Sequence, residues 1–334
     1  MPSTFTPTSS TQKFQRTYVL EIQAQNGSTF TVGSSDGSQP LLTIEFNINR
    51  NAMNTAQSGN IRIRNLNQGT REAISKNFWS PVLKDTSGLP LWQSVVLKAG
   101  YIGTPLSTIF SGKADTIMSY REEGGTEWIT EIEGTDFQGL YSTCFSNWTE
   151  SANPYTQENI IRHLVGDLQQ CATHNQTSLG IGVVNGFPDP TIKPAPPRYS
   201  YTANGLTMDL LATETGRLAY IDNGKIYIMP HNYSFKGDVT LISSQTGLIG
   251  SPKVQTNYLT TQMIFEPGIV PGQSIFLDTE LSEFSSLKNG TYKVIGVQHA
   301  GVISSTVNGK CITTVVTQYI PNAITVLPGL YVNA

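Results

Sequence analysis

Charge is what this 334-residue sequence has least of. Asp, Glu, Lys and Arg together make up 13%, roughly half the share usual in soluble proteins. No block of Lys or Arg stands out and the formal net charge is −3, so the electrostatic footprint of a nucleic-acid-binding surface is missing. No apolar run approaches the roughly 20 residues that a membrane-spanning helix needs. The opening residues, MPSTFTPTSSTQ, lack the basic segment and apolar core of a signal peptide, and none is expected. Cysteine is scarce too. Cys144, Cys171 and Cys311 lie far apart and are odd in number, with neither zinc-ligand spacing nor a disulfide framework. They are predicted to be buried, reduced thiols in a protein made in a reducing cytoplasm.

Signatures of catalysis are also lacking. His163, His174, His231 and His299 are scattered, and none falls in a His-x-x-x-His or His-Glu-x-x-His arrangement, so no metal site is expected. No Gly-x-Ser-x-Gly elbow is present and no cysteine stands in a catalytic motif. The stretch TGLIGSPKVQ at 246–255 carries glycine, serine and lysine close together. A phosphate-binding loop needs Gly-x-x-x-x-Gly-Lys-Ser/Thr running into a helix. Here Gly247 and Gly250 are three apart, Pro252 interrupts, and Leu259, Thr261, Met263 and Phe265 then alternate as in a strand. The stretch is expected to be punctuation, with a strand beginning at Lys253.

Acid pairs occur at Glu122/Glu123, Glu131/Glu133 and Asp278/Glu280/Glu283. Residues two apart in a strand face the same way, so Glu131 and Glu133 have the placement of a glycosidase pair. Trp128, Thr130 and Ile132 on the opposite face make the bland alternative, a half-solvated strand, the favoured one. No catalytic, cofactor-binding or metal-ligating residue is therefore assigned, and no cofactor is expected.

What the chain has in quantity is Ser, Thr, Asn and Gln, with 30 Gly and 18 Pro. That mix suits short strands joined by turns. Low surface charge also fits a chain covered by partner subunits, since interfaces are depleted in Lys, Glu and Asp; an ordinary secreted β protein shares the same composition. Leu42, Ile44, Phe46 and Ile48 alternate on one strand face, Ile61 and Ile63 on another, and Glu123-Gly124-Gly125 marks a hairpin. A short helix is expected around Thr70 to Asn77.

Residues 156–172 carry Ile160, Ile161, Leu164, Val165, Leu168 and Cys171 at helical spacing, with Thr156 as N-cap and Glu158 in the first turn. The proline-rich loop GFPDPTIKPAPPR, a second helix around LTMDLLATET stopped by Gly216, and a hairpin at Asn223-Gly224 follow. Later turns fall at Glu266-Pro267-Gly268, Lys288-Asn289-Gly290 and Asn308-Gly309. The predicted organisation is a polar tail (1–15), a first β domain (16–149), a mixed α/β segment (150–236), a second β domain (237–320) and an extended tail (321–334). Gln93-Ser94-Val95-Val96-Leu97 and Gln273-Ser274-Ile275-Phe276-Leu277 stand in similar surroundings, which points to an internal duplication.

TGLIGSPKVQ with its following strand, IFEPGIVPGQSIFL and NGTYKVIGVQHAG resemble the C-terminal part of contractile-tail phage baseplate hub proteins, the late control gene D family. IEFNINRNAMNTAQSGNIRIRNLNQGTREAI, SYREEGGTEWITEIEGTDF and ENIIRHLVGDL look like the same family, so the resemblance runs from about Tyr18 to Ile320. It implies a mainly β fold with a smaller α/β segment: two β-barrel-like tube domains related by a pseudo-repeat and joined by a mixed middle unit. It further implies a non-enzymatic homotrimer with a pseudo-sixfold ring, adapting a hexameric tail tube or its initiator to a trimeric central spike. Tape-measure and baseplate wedge proteins would be further neighbours. DNA would be a partner only in transit through the lumen, and the protein would reside in the virion baseplate after synthesis in the host cytoplasm. The alternatives are a glycan-binding or glycan-hydrolysing tail protein, and the equivalent hub of a cellular contractile injection system.

Overall fold

A computed structural model describes residues 13, 15–23, 28–34, 40–53, 55–78, 93–136, 141, 143–151, 157–175, 177–184, 200–215, 218–229, 233–256, 258–279, 289–306, 309–320, 324–326 and 329–330. Thr156, Gly216, His231, Glu280, Glu283, Lys288 and Asn308 fall outside the described residues. So do the proline-rich loop and most of both tails.

The alternation seen in the sequence becomes one large sheet. The first half supplies β1 (Arg16–Gln23), β2 (Thr29–Gly33), β3 (Ile44–Asn51), β4 (Ser58–Arg64), β5 (Ser94–Tyr101), β6 (Ser107–Arg121) and β7 (Trp128–Thr135). Helix α1 (Gln68–Phe78) sits between β4 and β5, and Asn67 caps it by accepting from the Thr70 amide at 2.8 Å. The second half supplies β13 (Tyr233–Ile242), β14 (Leu248–Val254), β15 (Leu259–Ile264), β16 (Gln273–Leu277), β17 (Gly290–Ile303), β18 (Cys311–Tyr319) and β19 (Ile324–Val326). Their order is β14-β15-β18-β17-β3-β4-β7-β6-β5-β1-β2, with β16 on β17, and β13 on both β16 and β19. The fold is mainly β, as expected. Among the described residues the path ends at β14 and β2 without closing.

One face of this sheet is apolar. Ile44, Phe46, Ile48, Ile61, Ile63, Val95, Leu97, Phe110, Ile117 and Ile132 bury themselves in the first core, together with Phe265, Ile303 and Cys311 from the second half. A second-half core gathers Ile242, Leu259, Met263, Ile275, Leu277, Val294, Val297 and Val315. Tyr101 ties the halves by donating its hydroxyl to the Phe265 carbonyl at 2.6 Å.

The middle unit has its own core. A ribbon of β8 (Phe145–Glu150) and β10 (Tyr201–Leu206), helices α2 (Gln157–His174) and α3 (Thr207–Thr215), and a four-stranded sheet make it up. That sheet runs β11 (Leu218–Asp222), β12 (Lys225–Met229), β9 (Gly180–Val184), β20 (Gly329–Leu330). The predicted stripe of α2 is buried through Ile160, Ile161, Leu164, Val165 and Leu168. The β11–β12 turn places Asn223 at φ 48° and Gly224 at φ 70°, the left-handed pair that a type I′ hairpin demands.

The unit docks through that hairpin. Asp222 pairs with Arg50 of β3, Asn223 Nδ2 donates to the Thr108 carbonyl at 3.1 Å and Tyr220 Oη donates to the Pro271 carbonyl at 2.8 Å. Tyr220 also stacks on Tyr227 with ring centroids 5.0 Å apart.

The structure corrects the cysteine expectation. Cys144 and Cys171 form a disulfide, with Cα atoms 6.1 Å apart, while Cys311 is free and buried. Helix α2 lies against the segment entering β8, so its last turn brings Cys171 to Cys144. Spacing along the chain carries no information about that approach.

Candidate assembly interface

The duplication is visible at the level of single residue pairs. In the first half Ser94 faces Lys113, and in the second Ser274 faces Lys293, each residue 180 positions from its counterpart. Across the next ladder, Thr116, Ile117 and Met118 face Glu133, Ile132 and Glu131, while Gly296, Val297 and Gln298 face Val316, Val315 and Thr314. Both ladders break register at the same place, between Ala114 and Thr116 and between Val294 and Gly296. One strand further out, Asn60 faces Glu133 as Thr260 faces Val316. The order β3-β4-β7-β6-β5-β1 thus recurs as β14-β15-β18-β17-β16-β13. The copy is imperfect at its last strand, because β1 pairs antiparallel with β5 whereas β13 pairs parallel with β16.

The halves differ in what their edges carry. The edge of β17 that binds β16 continues past it and binds β3, from Gly296–Asn51 to Ile303–Ile44. In β6 the equivalent edge binds β5 up to Lys113, and among the described residues no strand pairs with it over residues 115–121. The outer edge of β14, the counterpart of β3, is likewise unpaired by any described strand. Large apolar side chains are exposed at both places: Met118 on β6 (44%), and Ile249 (40%) and Val254 (52%) on β14.

TGLIGSPKVQ forms this second edge. Ser243 and Thr246 make a reciprocal capping box around a single 3₁₀ turn, Ser244–Thr246, which Gly247 ends at φ 104°. The strand then starts at Leu248, not at Lys253 as the sequence led us to expect, and Pro252 lies inside it. Ile249 faces Gln262 and Lys253 faces Thr260, so three residues oppose Thr261 where Phe46 alone opposes Ile61 in the first half. Pro252 is tolerated because it sits in a bulge on an edge strand, where no ladder bond is required of its nitrogen. No helix follows, and the stretch has nothing of a phosphate cradle.

The solvent-facing side of the central strands is polar and charge-paired. Arg62 Nε donates to Glu131 Oε1 at 2.8 Å. Asn60 Nδ2 donates to Glu131 at 2.8 Å and to Glu133 at 3.4 Å. Tyr120 Oη donates to Glu131 Oε2 at 2.8 Å. Arg64 binds Glu45 and Glu127, and Gln298 Nε2 donates to Asn47 Oδ1 at 2.9 Å. Burial opposes the charge of Glu131, but the bonds from Asn60, Arg62 and Tyr120 outweigh it and hold the carboxyl below the usual carboxylate range. A glycosidase acid needs the opposite shift.

The three described histidines form no cluster. His299 is buried, its Nδ1 3.0 Å from Thr313 Oγ1; His163 lies 3.4 Å from Glu150; His174 is exposed at the end of α2. Among the described residues no three His, Cys, Asp or Glu side chains stand close enough to hold a metal ion, and no helix is long and apolar enough to cross a membrane.

Sequence reasoning did not find the two open edges, the Arg50–Asp222 pair or the ladder joining β17 to β3. The shared Gln-Ser at 93 and 273 was the available signal for the repeat. It gave the relation between the strands but not which edges remain open.

No protein-family model matches the chain, and no curated protein matches its sequence. Solved structures do match its fold. The 43 kDa tail protein of prophage MuSo2 from Shewanella oneidensis superposes with a TM-score of 0.54 at 9% identity, over 91% of this chain and 96% of that one. A tail protein from Neisseria meningitidis MC58 superposes with a TM-score of 0.52 at 9% identity, over 92% of this chain and 99% of that one. The chain shares the fold of these two tail proteins over almost its whole length.

Proposed function

We propose that the chain is a structural, non-enzymatic hub of a contractile phage tail, acting as a homotrimer. The observation that carries this reading is the residue-level repeat: a trimer of a twice-repeated chain offers six near-equivalent positions around one axis. Such a ring docks a sixfold tail tube or tube initiator on one side and a threefold central spike on the other, and the duplication resolves the mismatch within a single chain. The fold shared with two tail proteins supports placement in the virion baseplate, where tape-measure and wedge proteins would be neighbours.

The polar side of the sheet supports a conduit role for DNA in transit. Arg62 and Arg64 are tied to Glu131, Glu45 and Glu127, so they offer little hold for phosphates. The bonds from Asn60, Arg62 and Tyr120 that hold the Glu131 carboxyl below the usual range make it poorly suited to the general-acid role of the glycosidase alternative. Native mass measurement together with imaging of assembled particles tests the reading. A trimer located at the baseplate is expected; a stable monomer absent from any tail would overturn it.

A further inference from the structure

The two halves of one chain meet along β17 and β3, where Ala300 faces Asn47, His299 faces Ile48 and Gln298 faces Asn49. Carried through the repeat, the β17 residues become Tyr120, Ser119 and Met118, each 180 positions earlier. Asn47 becomes Lys253, because the first faces Asn60 as the second faces Thr260. Ile48 becomes Val254, because the first faces Gly59 as the second faces Leu259. Gln255, whose amide donates to the Tyr258 carbonyl at 2.8 Å, then takes the place of Asn49.

We infer that β14 of one copy of this chain adds to the open edge of β6 in the next copy, with Val254 opposite Ser119, Lys253 opposite Tyr120 and Gln255 opposite Met118. The inference rests on the trimeric reading above and specifies where the copies touch.

The edges of one chain do not serve each other. Six strands lie between β14 and β6 in the sheet, so seven inter-strand steps separate them, about 34 Å along the sheet at the usual ~4.8 Å spacing. A second copy of the chain is the occupant for which the molecule already contains the template, since β3 fills the same position on β17.

Among the described residues no strand takes up the outward backbone donors and acceptors of either edge, and strand addition satisfies such groups. The exposed Met118 and Val254 lie inside the contact, where apolar surface is best placed. Lys253 arrives beside Tyr120, whose hydroxyl is bonded to the ionised Glu131, so its charge meets one of opposite sign. The contact joins two different edges, a head-to-tail arrangement that closes into a ring when the rotation permits.

The bulge at Gly250–Pro252 falls opposite Arg121, where β6 ends. It limits the added ladder to the segment from Lys253 onward. The seam between chains is therefore shorter than the ladder within a chain, which runs from Gly296–Asn51 to Ile303–Ile44.

Paired cysteines test the register. Ser119→Cys with Val254→Cys, and separately Met118→Cys with Gln255→Cys, place thiols directly across the seam. Met118→Cys with Val254→Cys places them on opposite faces. The native cysteines do not compete, because Cys144 and Cys171 are paired and Cys311 is buried. Under mild oxidation each in-register pair is expected to yield about tenfold more covalent dimer and closed trimer than the slipped pair, because a disulfide tolerates only a narrow separation of Cβ atoms. A native trimer in which neither in-register pair links, or in which the slipped pair links as well, overturns this register and leaves the hub reading standing. A chain that stays monomeric and is absent from any tail overturns both.

Discussion

The guanidinium of Arg50 holds the carboxylate of Asp222 through two hydrogen bonds, Nε to Oδ1 at 2.9 Å and Nη2 to Oδ2 at 2.5 Å, with both side chains almost completely buried. Burial opposes the arginine's charge, and Asp222 more than compensates, so the group stays protonated. The pair fastens the middle unit to β3. Loss of one partner strands a buried charge, which typically costs about 3–5 kcal/mol. Asp222→Ala is expected to lower the urea midpoint accordingly, whereas the double variant Arg50→Met, Asp222→Leu recovers most of the loss.

His299 makes stability depend on pH above the carboxylate range. Burial, reinforced by the nearby Arg50, pushes its pKa down to about 3, against ~6.5 in an unfolded chain. Between those values the unfolded state binds the extra proton, so stability is complete above about pH 6.5 and is lost as pH falls toward 3. At pH 4.5 the loss is about 2–3 kcal/mol. Urea titrations at pH 7.5 and 4.5 read this loss, and His299→Gln is expected to remove most of the slope over pH 6.5–4.5.

Reduction of Cys144–Cys171 is expected to loosen the middle unit in particular. The bond closes a loop of sequence separation 27, for which chain entropy gives about 3.5 kcal/mol. Hydrogen exchange of α2 is expected to accelerate in dithiothreitol and in Cys171→Ser, while the central strands β3, β4 and β7 remain protected.

Glu131 is a tie point on the sheet, bonded by Asn60, Arg62 and Tyr120. Glu131→Gln weakens the bonds to Arg62 and Tyr120 and is expected to cost about 1 kcal/mol. Glu133→Gln is expected to be neutral in thermal unfolding. Neither variant is expected to alter turnover on a glycan panel, where the wild-type chain should also show none.

Periodic features were legible in the sequence. The alternation through Ile44, Phe46 and Ile48, the helical stripe from Ile160 to Leu168 and the Asn223-Gly224 turn each repeat a local geometry that a short window contains. The features that were missed depend on neighbours distant in sequence. Pro252 looks like a strand breaker until β14 is seen to be an edge, where the missing N–H is not needed. Cys144 and Cys171 give no sign of pairing until α2 is docked, and Arg50 and Asp222 stand 172 residues apart. The same holds for the open edge of β6. An edge without a described partner looks like any other stretch of strand in a linear chain, and only its filled counterpart in β17 shows what could lie there.

The two extra residues in β14 also bear on how a duplicated chain diverges. Six identical chains cannot alter one junction without altering all six. Once two copies share a polypeptide, β3 is free to stay flat and seal permanently against β17, while β14 acquires a glycine kink and a proline. In the proposed ring the junctions would then alternate between welded and separable, giving a threefold partner landmarks that perfect sixfold repetition would erase.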